Sequence, residues 1–392
     1  MREAGLICVG CGKNFEGTKV FRCPDCDSPL DLVFDGHGID KSKTCSAERY
    51  HKFFPFEPHE IISLGEGNTP LVSVPSLAEK IGVRSFGIKN ESVNPTWSFK
   101  DRGTSCCVTH ANALDFKHIG TVSSGNMAAS VAAYGAYAGM KTTILVKENL
   151  ADEKLAPVVI YGARLFRVSG NYDDVYNKSL EIGKDKGIYF MNSDVPFRAA
   201  GSRTISFEIA ESFDFDVPEW VIVPTSSGGN IRGIISGFAD MKRHGYTNKV
   251  PRFICAQAAG CSPIVAAYDK GEMKVKRFPD PDTIAHAIDN AFPPSGNETL
   301  ALLKKFDGIA IGVSEDAIIS AQAEQASKGL FGQPASAVPL AAAYEAKRRG
   351  IISENDRVVT ILTGSGLKYT AAFSRHKLSW HECHVNDLHE SI

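Results

Sequence analysis

From about residue 60 onward, short β-branched runs alternate with longer alanine-rich stretches of helical pattern, and this alternation constrains the fold more than any other feature. Thr142 to Val146, Trp220 to Val223, Phe253 to Ala256 and Val358 to Leu362 are the clearest of the runs. Such a pattern calls for parallel sheets covered by helices. Met127 to Tyr137 (MAASVAAYGAY) and Ile231 to Met241 read as buried helices. Each opens just after a small polar cluster: Ser123-Ser124-Gly125-Asn126 before the first, Ser226-Ser227-Gly228-Gly229-Asn230 before the second. In an α/β sheet such turns lie at the carboxyl ends of strands, where free amides and a helix dipole favour an anion. Thr363-Gly364-Ser365-Gly366-Leu367-Lys368 follows the strand Val358 to Leu362 and makes a third loop on the same edge.

The length of 392 residues suffices for two or three domains. With 43 basic residues against 45 acidic ones the net charge is -2, so nucleic acid is not expected as the principal partner. No run approaches the roughly 18 apolar residues of a membrane span, and Met1, Arg2 and Glu3 do not begin a secretory signal. The expectation is a cytoplasmic protein with no membrane partner.

Cys8 and Cys11, then Cys23 and Cys26, form two CxxC turns with eleven residues between them. Two such turns facing one another make a tetrahedral sulfur cage suited to zinc, and four thiolates leave no open position, so the role expected is structural. A pair of turns stabilised by packing without metal is the alternative. Residues 1–45 are then a zinc-ribbon-like appendage. The cluster His381, Cys383, His384 and His389 matches no ligand spacing and is expected to be a solvated tail over 376–392.

The segment Asn90 to Gly103, NESVNPTWSFKDRG, centres on Lys100. A lone lysine is usually a surface charge. Beside amide-rich anion loops it becomes what pyridoxal phosphate needs: an amine for a Schiff base and helix-terminal N–H groups for the phosphate. Gly228 and Gly229 allow close backbone approach, and Ser226 and Ser227 add hydroxyl donors.

Together the cysteine quartet, GEGNTPL at Gly65 to Leu71, NPTWSFKDRG around Lys100, SSGN at Ser123 to Asn126, NSDVPFR at Asn192 to Arg198, PTSSGGN at Pro224 to Asn230 and TGSGLK resemble the threonine synthases, in the same order over residues 5 to 370. The resemblance implies the fold type II (tryptophan-synthase-like) PLP architecture: two three-layer α/β domains with the cofactor between them. We expect 46–105 and 205–375 to form the large domain and 106–204 the small one. It also implies Lys100 as the Schiff-base lysine, Phe99 beside the ring, Asn126 on the cofactor's 3'-oxygen, Ser226, Ser227, Gly228, Gly229 and Asn230 around its phosphate, and Thr363 at the pyridine nitrogen. Asn192, Ser193 and Arg198 match the family's substrate-phosphate site, with Ser123, Ser124 and Met127 also facing substrate. The implied reaction turns O-phospho-L-homoserine and water into L-threonine and phosphate, in a homodimer.

Three positions depart from the family pattern: Trp97 stands where glycine is usual, Met127 where threonine follows Asn126, and Ser227 in a loop that normally carries asparagine. The alternative is therefore a same-fold lyase or replacement enzyme for another amino acid, such as a threonine or serine ammonia-lyase. A non-catalytic ligand sensor is a third possibility, opposed by the intact Lys100. Cys106 and Cys107 are expected as buried packing groups, His286 as a structural histidine and Trp97 as a filler between domains.

Overall fold

The computed structural model describes residues 1–148, 152–170 and 172–387. Three short strands come first: β1 (Gly5–Cys8), β2 (Asn14–Glu16) and β3 (Leu30–Val33), in an antiparallel sheet of order β2-β1-β3. After a linker follow β4 (Leu71–Ser73) and β5 (Ser85–Asn90). The chain then leaves for a second sheet, β6 (His118–Val122), β7 (Lys141–Lys147), β8 (Arg164–Val168) and β9 (Tyr189–Phe190). It returns for β10 (Trp220–Pro224), β11 (Arg252–Ala258), β12 (Ile309–Val313) and β13 (Arg357–Leu362).

The large sheet has the order β12-β11-β10-β13-β5-β4, parallel except for β4 at its edge. The small sheet, β8-β7-β6-β9, is parallel throughout. The central strands β10 and β13 are buried along almost their whole length, as expected of continuous apolar runs with helices on both faces. The expected strands and the two alanine-rich helices are all present, each within a residue or two of its expected limits; the helices run Asn126–Tyr137 and Gly229–Arg243.

Two further helices join the sheets. Lys100–Ala113 leads out of the large sheet into the small one, and Pro196–Ser212 leads back. They pack against each other, and Pro196–Ser212 also packs on Gly229–Arg243. Small residues make the crossing close: a Cβ on Gly201 would lie 2.4 Å from the Arg102 carbonyl oxygen, and one on Gly103 2.8 Å from that of Arg198. Larger side chains here would push the two helices apart, and with them the residues they carry.

A buried charge network fastens the same crossing. Arg102 donates through Nε and Nη2 to Glu91 at 2.6 and 2.8 Å, and through Nη1 and Nη2 to Glu208 at 2.7 and 2.8 Å. Lys89 adds a 2.6 Å bond to Glu208. Two cations facing two carboxylates satisfy one another in a site that water does not reach.

The amino-terminal sheet is less of an appendage than the sequence suggests. Leu6, Cys8, Cys23, Leu30 and Leu32 share one apolar cluster with Cys107, Val108, Tyr189 and Phe197 of the small domain. Arg203 of the Pro196–Ser212 helix donates to the Leu32 carbonyl at 2.9 Å. A ribbon too small for a core of its own completes its burial against the catalytic body.

Candidate active site

Two of the loops singled out in the sequence meet beside the lysine turn, and the third lies against the Asn192 to Arg198 stretch. Phe99 N–H donates to the Thr363 carbonyl at 3.0 Å and Ser98 pairs with Gly364, so the TGSGLK loop and the lysine turn are stitched together. Asn126, first residue of its helix, donates to Gln333 at 3.0 Å; a Cβ on Gly364 would come within 3.2 Å of the Asn126 amide nitrogen. Gly229 faces the other side: a Cβ there would lie 2.5 Å from the Ser193 carbonyl oxygen. Ser123, Ser124 and Ser193 are partly exposed, and Gly125 is open.

Lys100 is the first residue of its helix, with Nζ 4.5 Å from the centre of the Phe99 ring. Burial, with a smaller contribution from the Arg198 guanidinium, lowers its amine to about 7. At neutral pH a large share of it is therefore the free base, as both nucleophilic and proton-transfer roles require. Asp101, next in sequence, is fully buried and accepts from Thr96 N–H, Thr96 Oγ1 and Ser130 Oγ, each at 2.6 Å. Burial lifts its carboxyl to about 6 in spite of these donors.

Arg198 lies in the first turn of its helix and is 5% exposed. Its Nε donates to the Met191 carbonyl at 3.2 Å and its Nη1 to Thr104 Oγ1 at 3.3 Å, while Nη2 has no partner among the described residues. Burial pushes its pKa down. A buried guanidinium with one terminal nitrogen unpartnered, near a lysine, is arranged for an anion that is not part of the chain. Asn192 is occupied otherwise: its Oδ1 accepts from Val122 N–H at 3.0 Å and its Nδ2 donates to Ser179 at 2.9 Å, which pins the end of β6.

The loop from Ser226 to Asn230 opens the helix Gly229–Arg243. Gly228 sits at φ +89, a conformation costly for other residues, and Ser295 and Thr299 leave its Cβ position no room. Both polar atoms of the Asn230 side chain are buried without a partner, at the positive end of that helix. Ser227 is buried, and its carbonyl accepts from Ser295 N–H at 2.9 Å. Thr363 is buried with Oγ1 3.1 Å from Ser336 Oγ. Pyridoxal phosphate fits this set: the orphaned Asn230 atoms and helix N-terminus suit its phosphate, the hydroxyls of Thr363 and Ser336 suit a ring nitrogen, and the Lys100 amine suits its aldehyde.

Ser336, Gln333, Asp101 and the Arg102 network were not singled out in the sequence. The run Gln333-Pro334-Ala335-Ser336 had a signal of its own, a polar cap and proline opening a helix, but nothing in it pointed to Thr363. Met127 is buried within the small domain's apolar cluster. Trp97 is no filler between domains: it sits at φ +64 and is 53% exposed, because a left-handed turn aims its side chain outward. Cys106 and Cys107 are buried as expected, and His286 is exposed, edge-on to Tyr369 at 5.9 Å.

The four ribbon thiols converge, all within 4.8 Å of one another, with Cys8 and Cys26 at 3.4 Å and Cys11 and Cys23 at 3.7 Å. Two sit at knuckle turns and two are buried beneath them, a donor set that suits one tetrahedral ion such as zinc. His381, Cys383 and His384 are exposed, and His389 lies outside the described residues.

A half-buried lysine of low basicity, with an anion-binding helix terminus and a hydroxyl-lined loop on two α/β units, defines a pyridoxal-phosphate-dependent enzyme of fold type II. Comparison with known proteins agrees: the family described as "Pyridoxal-phosphate dependent enzyme" matches residues 62–364. Threonine synthases of Methanocaldococcus jannaschii and Methanosarcina acetivorans are each 36% identical over 372 residues, covering 92% and 93% of this chain and 92% of each relative. That of Synechocystis is 32% identical over 82% of both chains. The chain belongs to the threonine synthase family of pyridoxal-phosphate-dependent enzymes. Among solved structures, a threonine deaminase isoform from Solanum lycopersicum (TM-score 0.65, 22% identity, 79% of this chain and 88% of that one) and a diaminopropionate ammonia lyase from Escherichia coli (TM-score 0.69, 16% identity, 87% and 94%) share the fold.

Proposed function

We propose that this chain converts O-phospho-L-homoserine and water to L-threonine and phosphate, with pyridoxal phosphate held by Lys100, Phe99, Asn126, Ser226 to Asn230 and Thr363. Bound there, the cofactor supplies an electron sink for charge developing at the substrate's α-carbon. Lys100 Nζ would take the Cα proton and give it up again before taking one from Cβ; phosphate leaves Cγ toward Arg198 and Ser193, the lysine returns a proton to Cγ, and water adds with its hydroxyl at Cβ and its proton at Cα. An amine near 7 suits each transfer at neutral pH. The small domain, read as 106–204, carries the Ser123, Ser124 and Met127 side of the substrate cleft.

The observation that carries the reading is the free Nη2 of buried Arg198. Each charge-assisted hydrogen bond it forms with a phosphate contributes about 1.5 to 3 kcal/mol. A lyase for threonine or serine has no use for it, since a small hydroxyl side chain brings no anion that far from the amine. Zinc in the cysteine quartet, a homodimer and a cytoplasmic location complete the reading. Among the described residues no helix is long and apolar enough to cross a membrane.

The test is a parallel assay on the yellow, cofactor-loaded protein. Phosphate and threonine released in equal amounts from O-phospho-L-homoserine are expected, with little ammonia or ketoacid from L-threonine or L-serine. No phosphate release from a protein whose yellow absorbance is intact would overturn the assignment.

A further inference from the structure

The loop that presents Arg198 is held from outside the catalytic body. Asp194, 1% exposed, lies four residues before Arg198, immediately ahead of the helix Pro196–Ser212. Its Oδ2 accepts from Nη1 of Arg22 in the ribbon. Arg22 directly precedes Cys23, and the same guanidinium donates through Nε to Asp27 Oδ1 at 2.9 Å and through Nη2 to the Asp27 carbonyl. Asp27 N–H in turn donates to the Cys23 carbonyl at 2.9 Å, closing the Cys23 to Cys26 knuckle. Arg22 is thus clasped to the metal knuckle on one side and to the anion loop on the other.

A second ribbon contact reaches the same stretch. Thr18 Oγ1 lies 2.9 Å from His110 Nε2, and the His110 ring stacks on Phe197 with centroids 3.6 Å apart. Phe197 is the residue before Arg198. The ribbon therefore bears on the chain at 194 and, through His110, at 197, just ahead of the residue that carries the guanidinium.

We propose that the ribbon is a positioning device for the anion grip: the four-thiolate centre orders the knuckle, the knuckle orders Arg22, and Arg22 through Asp194 sets the 192–198 loop for a phosphorylated side chain. The inference rests on the reading of Arg198 as the phosphate ligand. Arg22 touches neither substrate nor cofactor, so it is a positioning residue. Loading of the ribbon then governs affinity for the phosphorylated end of the substrate and leaves cofactor binding alone.

The experiment uses the full-length, cofactor-loaded protein and inorganic phosphate as the probe, titrated by calorimetry into wild type, Arg22→Gln, Arg22→Lys, Asp194→Asn and Arg198→Ala. Arg22→Gln and Asp194→Asn are expected to weaken phosphate binding about tenfold and to raise KM for O-phospho-L-homoserine by a similar factor, with kcat and the yellow absorbance near wild type, since a small displacement of an orienting group has effects of this size. Arg22→Lys recovers most of the affinity because an ammonium still reaches the Asp194 carboxylate. A chelator that strips the ribbon weakens phosphate binding in wild type and adds nothing in Arg22→Gln. The clamp is overturned if Arg22→Gln binds phosphate as wild type does while Arg198→Ala does not, or if Arg22→Gln loses cofactor and melting temperature together with phosphate. Undiminished binding in Arg198→Ala would remove the arginine's own role, and the clamp with it.

Discussion

Lys100 carries the chemistry because of where its helix begins. Its Nζ is withdrawn from water and lies near a second cation, so the amine is held about 7 where a free lysine stays above 10. The sign follows directly: burial disfavours the charged form, so the reactive neutral fraction rises with pH through 7 and is nearly complete by about 8. In the cofactor-free protein, reductive methylation of Lys100 followed by mass spectrometry should therefore reach half its plateau rate near pH 7. A rate still climbing at pH 10 would mean that burial does not perturb the amine. Lys100→Ala should lose the yellow absorbance and at least about a thousandfold in kcat, because nucleophile and base disappear together.

Arg198 is the complement of the lysine. It lacks a direct carboxylate partner among the described residues, and it ends the stretch NSDVPFR in the first turn of its helix. Met127 shows what a residue alone does not reveal. Read beside Asn126 it looks like a substrate contact; in the fold it is buried and belongs to the same apolar cluster as Val131 and Ile144.

At the scale of elements, the active site is the crossing of two helices, Lys100–Ala113 and Pro196–Ser212, and glycine contacts and charges decide how closely they cross. Burial alone would raise the Glu208 carboxyl, but Arg102 and Lys89 together hold it well below the usual range. A carboxylate depressed in this way contributes stability that is fully present above about pH 4.5 and lost as pH falls through its folded value. Glu208→Gln keeps the shape and removes the charge, leaving Lys89 without a carboxylate and Arg102 with one. Breaking a buried pair by removing one partner costs about 3 to 5 kcal/mol. Urea unfolding at neutral pH should show a loss of that size; a change under about 0.5 kcal/mol would mean the network is not what joins the helices.

These elements were unevenly legible. The strands β7, β10, β11 and β13 and the helix after each serine-glycine cluster could be placed to within a residue or two, because period, propensity and turn chemistry all agree there. The helix Pro196–Ser212 was invisible as a core element, since it is buried on nearly every face and its arginines, serines and glutamate mimic a surface pattern. Only the pairing of Arg203 with Asp240 and the Leu32 carbonyl, and of Glu208 with Arg102, explains charges at those positions.

Across the whole molecule, two parallel sheets and a metal-type ribbon share their burial. The ribbon's apolar residues are continuous with the small domain's cluster, so its integrity should report on more than itself. Cys23→Ser is expected to abolish tight binding of about one zinc equivalent and to lower the melting temperature of the full-length protein by several degrees. Zinc content by elemental analysis and a thermal scan check the two together; metal retained in stoichiometric amount would dissolve the four-thiolate site.

The sequence by itself determined the local chemistry: which turns bind anions, which lysine stands among them and which four cysteines face one another, because each of these depends on spacing along a few residues. The tertiary structure alone decided what those residues do not encode locally. It brought Ser336 to Thr363, emptied one side of the Arg198 fork, turned Trp97 outward and set Arg22 of the ribbon on Asp194, 172 residues away. Such pairings depend on which surfaces are left to be buried once the sheets have formed, and burial is a property of the packed chain rather than of any segment of it.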